Sequence, residues 1–192
     1  MVMKKRCIIV SGPIGSGKSL LLERLQGHNY QVLKADEINH HILITDKMIK
    51  ENIIQRWGQS MYSGDNPDKV KIAEVVFNHQ EERQWLEKRL HPKIYSFMAE
   101  WVAKHEASAI EIPLIYDAKK VIWEHETWVV LASKKLRLER TLLRSPCTKQ
   151  QVLRRMQAQP KDDSYRNIAD HVIMNDSSVE VFYQAIECCL KE

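Results

Sequence analysis

The sequence predicts an α/β protein with a parallel sheet covered by helices on both faces, and three observations support this prediction. Short β-branched runs alternate with amphipathic helical patterns, as in strand–helix–strand units. The first run leads directly into a glycine-rich loop and a helix. The composition is that of an ordinary globular domain, because 44% of the 192 residues are hydrophobic and 28% are charged. Six glycines and six prolines are too few for a linker-like or disordered chain.

Five apolar runs predict the strands, in the order 7–10, 30–33, 109–112, 127–131 and 171–174. Between the first two runs, the pattern predicts a helix over 18–25 that ends near Gly27. The stretch 38–106 reads as mostly helical, with interruptions near 58–67 and at Pro92. Thr148 and Gln151 form a capping box that begins a further helix, which ends before Pro160.

Charge is concentrated in one segment of the chain. Residues 133–161 hold nine Lys and Arg against one acidic residue, a local balance of +8, so the rest of the +4 chain is net −4. Such a segment fits a solvated helix face, a nucleic-acid surface or a site for a small phosphate ligand. Arg137, Arg140 and Arg144 share one helical stripe, which favours a compact anion. The segment contains no aromatic residue, so we expect no nucleic-acid partner.

The chain lacks the features of a membrane or secreted protein. No apolar run approaches the roughly 18 residues that a membrane helix needs. The short basic and apolar start reads as a first strand and not as a signal peptide. The cysteines Cys7, Cys147, Cys188 and Cys189 have no metal-binding spacing. We therefore expect a cytoplasmic protein with reduced thiols and no membrane contact.

The glycine-rich loop matches the pattern G-x-x-x-x-G-K-[ST]. We call it the phosphate loop, and it reads Gly12, Pro13, Ile14, Gly15, Ser16, Gly17, Lys18 and Ser19. In this pattern backbone N–H groups surround phosphate oxygens, and the next helix adds its positive N-terminal end. Lys18 would reach the β- and γ-phosphates, and the Ser19 hydroxyl would bind Mg²⁺. The sequence thus predicts a site for ATP and Mg²⁺.

Missing motifs narrow the class of nucleotide-binding protein. The chain has neither the D-x-x-G nor the N-K-x-D motif of a GTPase, and it is too short for a motor or transporter ATPase. A small kinase remains, and it needs a carboxylate near the acceptor hydroxyl. Asp36 is predicted to end the second strand, where it could accept a proton, orient a Mg²⁺-bound water or cap the helix near Glu37. Asp117 is predicted to end the third strand, where it could face the ligand-binding crevice beside Asp36 or cap the next helix.

The motifs together resemble those of the dephospho-coenzyme A kinase family from Ile8 to Asn175. The similar segments are 12–19, 35–40, 68–77, 90–92, 113–117 and 169–175. The chain departs from the family at Tyr95, Asp117, Arg137 and Tyr165, and Asn175 is followed by Asp-Ser and not by a nearby glycine. The nearest alternative is another small P-loop kinase, acting on a nucleoside monophosphate, shikimate or gluconate. A more distant alternative is a nucleotide-dependent RNA binder.

The resemblance implies a three-layer P-loop kinase fold with a five-stranded parallel sheet. It divides one domain into a core (1–37, 107–132 and 161–192), a helical acceptor-binding insertion (38–106) and a basic helical lid (133–160). The implied reaction transfers the ATP γ-phosphate to the ribose 3′-hydroxyl of dephospho-coenzyme A. The implied catalytic residues are Asp36, Lys18 and Arg140. The phosphate loop, Leu20, Arg144 and Asn175 would bind ATP, with Ser19 on Mg²⁺. The acceptor would contact Asp36, His40, Lys69, His91 and Asp117.

Overall fold

The computed structural model describes residues 6–112 and 121–191. The chain falls into two compact units: the first combines the chain up to Lys34 with the chain from Lys104 onward, and the second is Ala35–Ala103. Among the described residues the elements run β1 (Arg6–Ser11), α1 (Lys18–Gly27), β2 (Gln31–Lys34), α2 (Ala35–Thr45), α3 (Lys47–Trp57), a 3₁₀ turn (Gln59–Met61), β3 (Tyr62–Ser63), β4 (Asn66–Pro67), α4 (Lys69–Asn78), α5 (Gln80–Ala103), β5 (Ala107–Glu111), β6 (Glu126–Leu131), α6 (Lys134–Arg144), α7 (Lys149–Gln157), α8 (Asp162–Arg166), β7 (His171–Met174) and α9 (Val179–Lys191).

The first unit contains the predicted five-stranded sheet, in the order β2-β5-β1-β6-β7. Every neighbouring pair is parallel, with Ile8 of β1 in register with Ala109 of β5 and Glu126 of β6. Each predicted strand is present within two residues of its expected bounds. The central strand β1 is inaccessible to solvent at Ile8, Ile9 and Val10, as expected for a strand covered on both faces.

Helices cover the two faces of this sheet, which confirms the three layers. One face packs against α1 and α9 through Leu21, Leu25, Trp128, Phe182 and Ile186. The other face packs against α8 through Val129, Leu131 and Tyr165, with Ile168 and Ala169 beside them. The large buried aromatic side chains give this core much of its apolar area.

The ends of two helices test the predicted capping signals. The Thr148 capping box is present, because its hydroxyl accepts from Gln151 N–H while the Gln151 side chain accepts from Thr148 N–H. Helix α1 ends at Gly27, but the residue with a left-handed backbone is Asn29, at φ 64°. Tyr30 N–H donates to the carbonyl of Leu25, which closes the helix end. Asn is the usual substitute for glycine in that conformation.

The second unit is helical, and its prediction was wrong at Pro92. The interruption near 58–67 is present as the 3₁₀ turn and the β3–β4 hairpin. Helix α5, however, runs through Pro92 without a break. Proline removes one backbone donor from a helix, but α5 buries Leu86 and Leu90 before Pro92 and Met98 and Val102 after it. Packing on both sides of the proline therefore maintains the helix.

Contacts between α2, α3 and α5 hold the second unit together. The Asp46 carboxylate caps α3 by accepting from Ile49 N–H at 3.0 Å, and it pairs with Lys93 Nζ at 2.5 Å. Burial raises the pKa of Asp46, but the bonds from Lys93 and Ile49 outweigh it, so that pKa lies below its usual value. No helix within residues 6–112 and 121–191 combines the length and apolar character needed to cross a bilayer.

Candidate active site

The phosphate loop follows β1 directly and is enclosed by the first unit. Gly15 has φ 76° and Gly17 has φ 112°, a conformation that residues with a side chain rarely adopt. A Cβ at Gly15 would overlap the carbonyl oxygen of Arg137, and one at Gly17 would overlap Asn175 Nδ2. The glycines therefore let the loop turn while α6 and the segment after β7 approach it closely.

The loop has the features of an anion cradle. Gly17 is the N-cap of α1 and has no side chain to satisfy the first N–H groups of the helix. The Ser16 hydroxyl is buried and has no hydrogen-bond partner among the described residues. Ser19 is exposed at the second position of α1. These groups fit a bound phosphate, because a helix N-terminus supplies donors and a positive potential.

Lys18 lies across the loop in this structure. Its Nζ donates to the carbonyl oxygens of Gly12 at 3.0 Å and Pro13 at 3.3 Å. It also lies 3.8 Å from Oε1 of Glu111, the last residue of β5. The sequence analysis missed Glu111, although the carboxyl end of a parallel strand was the signal that could have found it. The Lys18 ammonium group therefore contacts the backbone of the phosphate loop.

Asn175 connects Arg140 to the phosphate loop. Its Nδ2 donates to the carbonyl oxygen of Ser16 at 2.8 Å, and the residue is 2% exposed. Arg140 Nη1 donates to the Asn175 carbonyl at 3.0 Å, and Nη2 donates to Asn175 Oδ1 at 3.4 Å. Asn175 N–H donates to Leu131 at the end of β6. One buried amide therefore holds α6, β6 and the loop in fixed positions.

The three arginines of α6 differ in exposure, and Arg137 is the buried member of the predicted stripe. Arg137 is 9% exposed and turns toward Asp162, with Nη2 3.3 Å from Oδ1. It lies on the inner face because α6 packs against Gly15 at Arg137 and Thr141, which are one turn apart. Arg144 is exposed at the last residue of the helix.

The predicted residues of the second unit begin on α2. Asp36 does not end the second strand, because β2 stops at Lys34 and α2 begins at Ala35. It is an exposed residue inside the first turn, so it is not the N-cap either. A carboxylate in a first turn is favoured by the helix dipole. His40 lies one turn later on the same face, and its buried Nδ1 has no hydrogen-bond partner among the described residues.

Two of the other residues predicted to contact the acceptor, Lys69 and His91, lie on separate helices. Lys69 is exposed at the start of α4. His91 is half-buried on α5, with its ring 6.2 Å from that of Tyr95 in a T-shaped arrangement. Asp117 lies outside the described residues, as does the rest of segment 113–120. The prediction that Asp117 ends the third strand was wrong, because β5 ends at Glu111.

Known proteins resemble the chain over nearly its whole length. The family model described as dephospho-CoA kinase matches residues 6–180. The dephospho-CoA kinase of Helicobacter pylori strain J99 is 31% identical, over 97% of each chain. That of Coxiella burnetii is 31% identical, over 92% of this chain and 91% of its own.

Solved structures share the fold. TT1252 from Thermus thermophilus has a TM-score of 0.80 at 27% identity, covering 98% of this chain and 97% of its own. A dephospho-CoA kinase from Campylobacter jejuni has a TM-score of 0.71 at 25% identity, covering 98% and 96%. A shikimate kinase from Acinetobacter baumannii, at 14% identity and a TM-score of 0.53, shares the fold alone. The match from β1 into α9, with the phosphate loop inside it, leads to one conclusion: the chain belongs to the dephospho-CoA kinase family of ATP-dependent phosphotransferases.

Proposed function

We propose that this protein transfers the γ-phosphate of ATP to the ribose 3′-hydroxyl of dephospho-coenzyme A, giving coenzyme A and ADP. The observation that carries the proposal is the network in the first unit, where Asn175 joins Arg140 to the phosphate loop and Lys18 contacts the carbonyl of Gly12 in the same loop. Phosphoryl transfer depends mainly on positioning and on cationic stabilisation, and this network supplies both.

ATP would be held by the phosphate loop and the residues around it. Backbone N–H groups of the phosphate loop and of Leu20 would surround the phosphates, except at Pro13, which has no N–H, and at Ile14, whose N–H donates to Gln159. Arg144 would contact the phosphates from the end of α6. Lys18 exchanges its two carbonyl acceptors for phosphate oxygens, which are anionic and therefore bind an ammonium group more strongly. Arg140 needs no large movement, because Asn175 already holds its guanidinium beside the loop.

We assign Ser19 and Glu111 to the Mg²⁺ site. A hydroxyl at the start of α1 and a carboxylate near Lys18 are hard oxygen ligands of the kind that Mg²⁺ prefers. The bound ion would neutralise charge on the β- and γ-phosphate oxygens. Glu111 would bind directly or through a water molecule, and it also keeps the Lys18 ammonium group oriented.

Asp36 is the residue that we propose as the general base. The 3′-oxygen forms a bond to the γ-phosphorus while the bond from that phosphorus to the β-phosphate oxygen breaks, and ADP leaves. The hydroxyl proton passes to the Asp36 carboxylate. Lys18 and Arg140 stabilise the charge of the transferring group.

The second unit would bind the acceptor. We assign His40, Lys69, His91 and Asp117 to dephospho-coenzyme A, together with Asp36, and residues 133–160 to a basic lid. His40 follows Asp36 on one helix face and presents an unbonded ring nitrogen.

Because Cys7, Cys147 and Cys188 are free thiols, we place the reaction in a reducing compartment, the cytoplasm.

A panel of acceptors tests the proposal. The protein is incubated with Mg·ATP and dephospho-coenzyme A, AMP, adenosine or shikimate, and phosphate gain is followed by mass spectrometry. We expect dephospho-coenzyme A to react in strong preference to the others. Faster turnover of AMP or shikimate would leave the phosphate loop assigned but assign the protein to another kinase of this fold.

A further inference from the structure

Gln159 contacts the phosphate loop from a distant part of the sequence. Ile14 N–H donates to Gln159 Oε1 at 2.9 Å, in a partly buried bond between residues 145 positions apart. Gln159 does not belong to the phosphate-loop motif, so the sequence gives no local signal for this contact. The contact exists because the chain after α7 returns to the loop.

The bonded N–H group lies at the turn of the loop. Ile14 follows Pro13, whose carbonyl accepts from Ser16 N–H at 3.3 Å, and precedes Gly15 with φ 76°. The Gln159 bond therefore fixes the peptide plane between Pro13 and Ile14. The orientation of that plane determines where the following N–H groups point, and those groups would receive the phosphates.

The backbone of Gln159 is attached to the C-terminal end of α7. Its N–H donates to the carbonyl of Met156 at 3.4 Å, and Pro160 after it restricts its backbone. Helix α7 carries Arg154 and Arg155, both exposed, within the basic segment 133–161. A displacement of α7 would therefore move the acceptor atom of Ile14.

We propose that Gln159 is a positioning residue for phosphoryl transfer, which holds the turn of the phosphate loop in its binding conformation and couples it to α7. This inference rests on the function proposed above for the loop. Gln159 acts through the Ile14 peptide and not on the reacting atoms. Its loss should therefore weaken nucleotide binding and turnover, while a purely structural bond would affect only stability.

Three variants separate these roles. Gln159→Met keeps the length of the side chain but removes the acceptor. Gln159→Glu keeps an acceptor oxygen in the same place. Gln26→Met is the matched control, because Gln26 is an exposed glutamine of α1 outside the proposed lid and outside the phosphate loop. In nucleotide-free protein, amide exchange measured by NMR should accelerate at Ile14 in Gln159→Met only. Unchanged Ile14 exchange in Gln159→Met would overturn the proposal at its geometric step.

Nucleotide affinity and kinetics provide the functional readout. We expect Gln159→Met to raise the Kd of ADP and to lower kcat/KM for Mg·ATP, each by up to about tenfold, as for the loss of one hydrogen bond. Gln26→Met should match wild type in both the Kd of ADP and kcat/KM. Gln159→Glu is used only for exchange, because its charge would itself repel phosphates.

The outcomes of this experiment are distinct. Faster Ile14 exchange with unchanged ADP affinity and kcat/KM would overturn the positioning role and leave a structural bond. If wild type fails to phosphorylate dephospho-coenzyme A, the proposed function fails. Calorimetric titration with ADP would still test Gln159 in that case, because it requires no acceptor.

Discussion

At the scale of single residues, Lys18 is a cation that contacts the backbone of the phosphate loop directly. Because its Nζ contacts the carbonyl oxygens of Gly12 and Pro13, replacing it with alanine removes the charge that would bridge the β- and γ-phosphates. We expect Lys18→Ala to lower kcat by about 10²-fold or more with the fold retained. Lys191→Ala, an exposed control on α9, should leave kcat unchanged. Folded Lys18→Ala within a few-fold of wild type would contradict the assignment.

Two chemical roles are to be distinguished at Asp36: the general base that we propose, and the orientation of a Mg²⁺-bound water. Asparagine keeps the size and the position in the first turn of α2 but cannot carry negative charge. We expect Asp36→Asn to lower kcat by about 10²–10⁴-fold, with near-normal melting temperature and ATP affinity. A base role predicts no rescue by added Mg²⁺, whereas partial rescue indicates a ligand of a metal-bound water. Wild-type kcat would exclude both roles and make Asp117 the next candidate.

Arg140 is expected to act mainly in the transition state. Its guanidinium is held by Asn175 beside the loop, so it would stabilise developing charge with little reorganisation. We predict that Arg140→Ala lowers kcat more than it raises KM for ATP. Leu143→Ala, 87% exposed on the same helix, serves as the control. A change in KM alone would make Arg140 a ground-state anchor.

At the scale of elements, α3 and α5 are joined by a polar cluster around Glu82. Hydrogen bonds from Arg56 and then from Trp57 lower the pKa of Glu82 to about 2. Trp57 Nε1 lies 2.6 Å from Glu82 Oε2, and the rings of Trp57 and Trp85 are 5.3 Å apart. A lowered pKa in the folded state means that the charged carboxylate stabilises the folded protein.

This cluster predicts how stability depends on pH. The contribution of Glu82 is complete above its ordinary pKa of 4.5 and is lost as the pH falls toward about 2. We expect the melting temperature of wild type to exceed that of Glu82→Gln at pH 7, and this difference in melting temperature to shrink as the pH falls below about 5. Glu81→Gln, at the exposed neighbouring position, should show no such trend. A difference independent of pH would contradict the account.

The elements of the first unit were largely predictable, because strand runs and capping signals are local. The Thr148 capping box and the glycines of the phosphate loop each carry their own signal within a few residues. Pro92 was read as a break because its local signal is strong, yet packing on both sides of it decided the outcome. The fate of a proline within a helix depends on partners that are distant in sequence.

The candidate site was predictable only where a motif or the family resemblance marks a residue. Lys18 was found through the phosphate-loop motif and Asn175 through the resemblance, whereas Glu111 was passed over in favour of Asp117, six residues later. Gln159 carries no signal, because its role depends on a bond across 145 positions. The burial of Arg137 was not predicted, because a helical stripe does not reveal which side of the helix faces the core.

At the scale of the whole molecule, the first unit places its candidate phosphate-binding residues at one edge of the sheet. The phosphate loop follows β1, Glu111 ends β5, Asn175 follows β7, and Arg140 lies on the helix after β6. The carboxyl ends of parallel strands lie at the same edge of a sheet, so residues that are distant in the sequence can line one site. The second unit, Ala35–Ala103, carries Asp36 and His40 on its first helix.

The central claim is the transfer of the γ-phosphoryl group to one hydroxyl, and the most direct test follows that group. In a single turnover, wild type is mixed with Mg·ATP labelled with ¹⁸O in the γ-phosphoryl group and with dephospho-coenzyme A. The product is examined by mass spectrometry and ³¹P NMR. We predict that the label appears in a 3′-phosphomonoester of the ribose, and that Lys18→Ala shows almost none at equal time. Label found only in inorganic phosphate, or at another hydroxyl, would contradict the account.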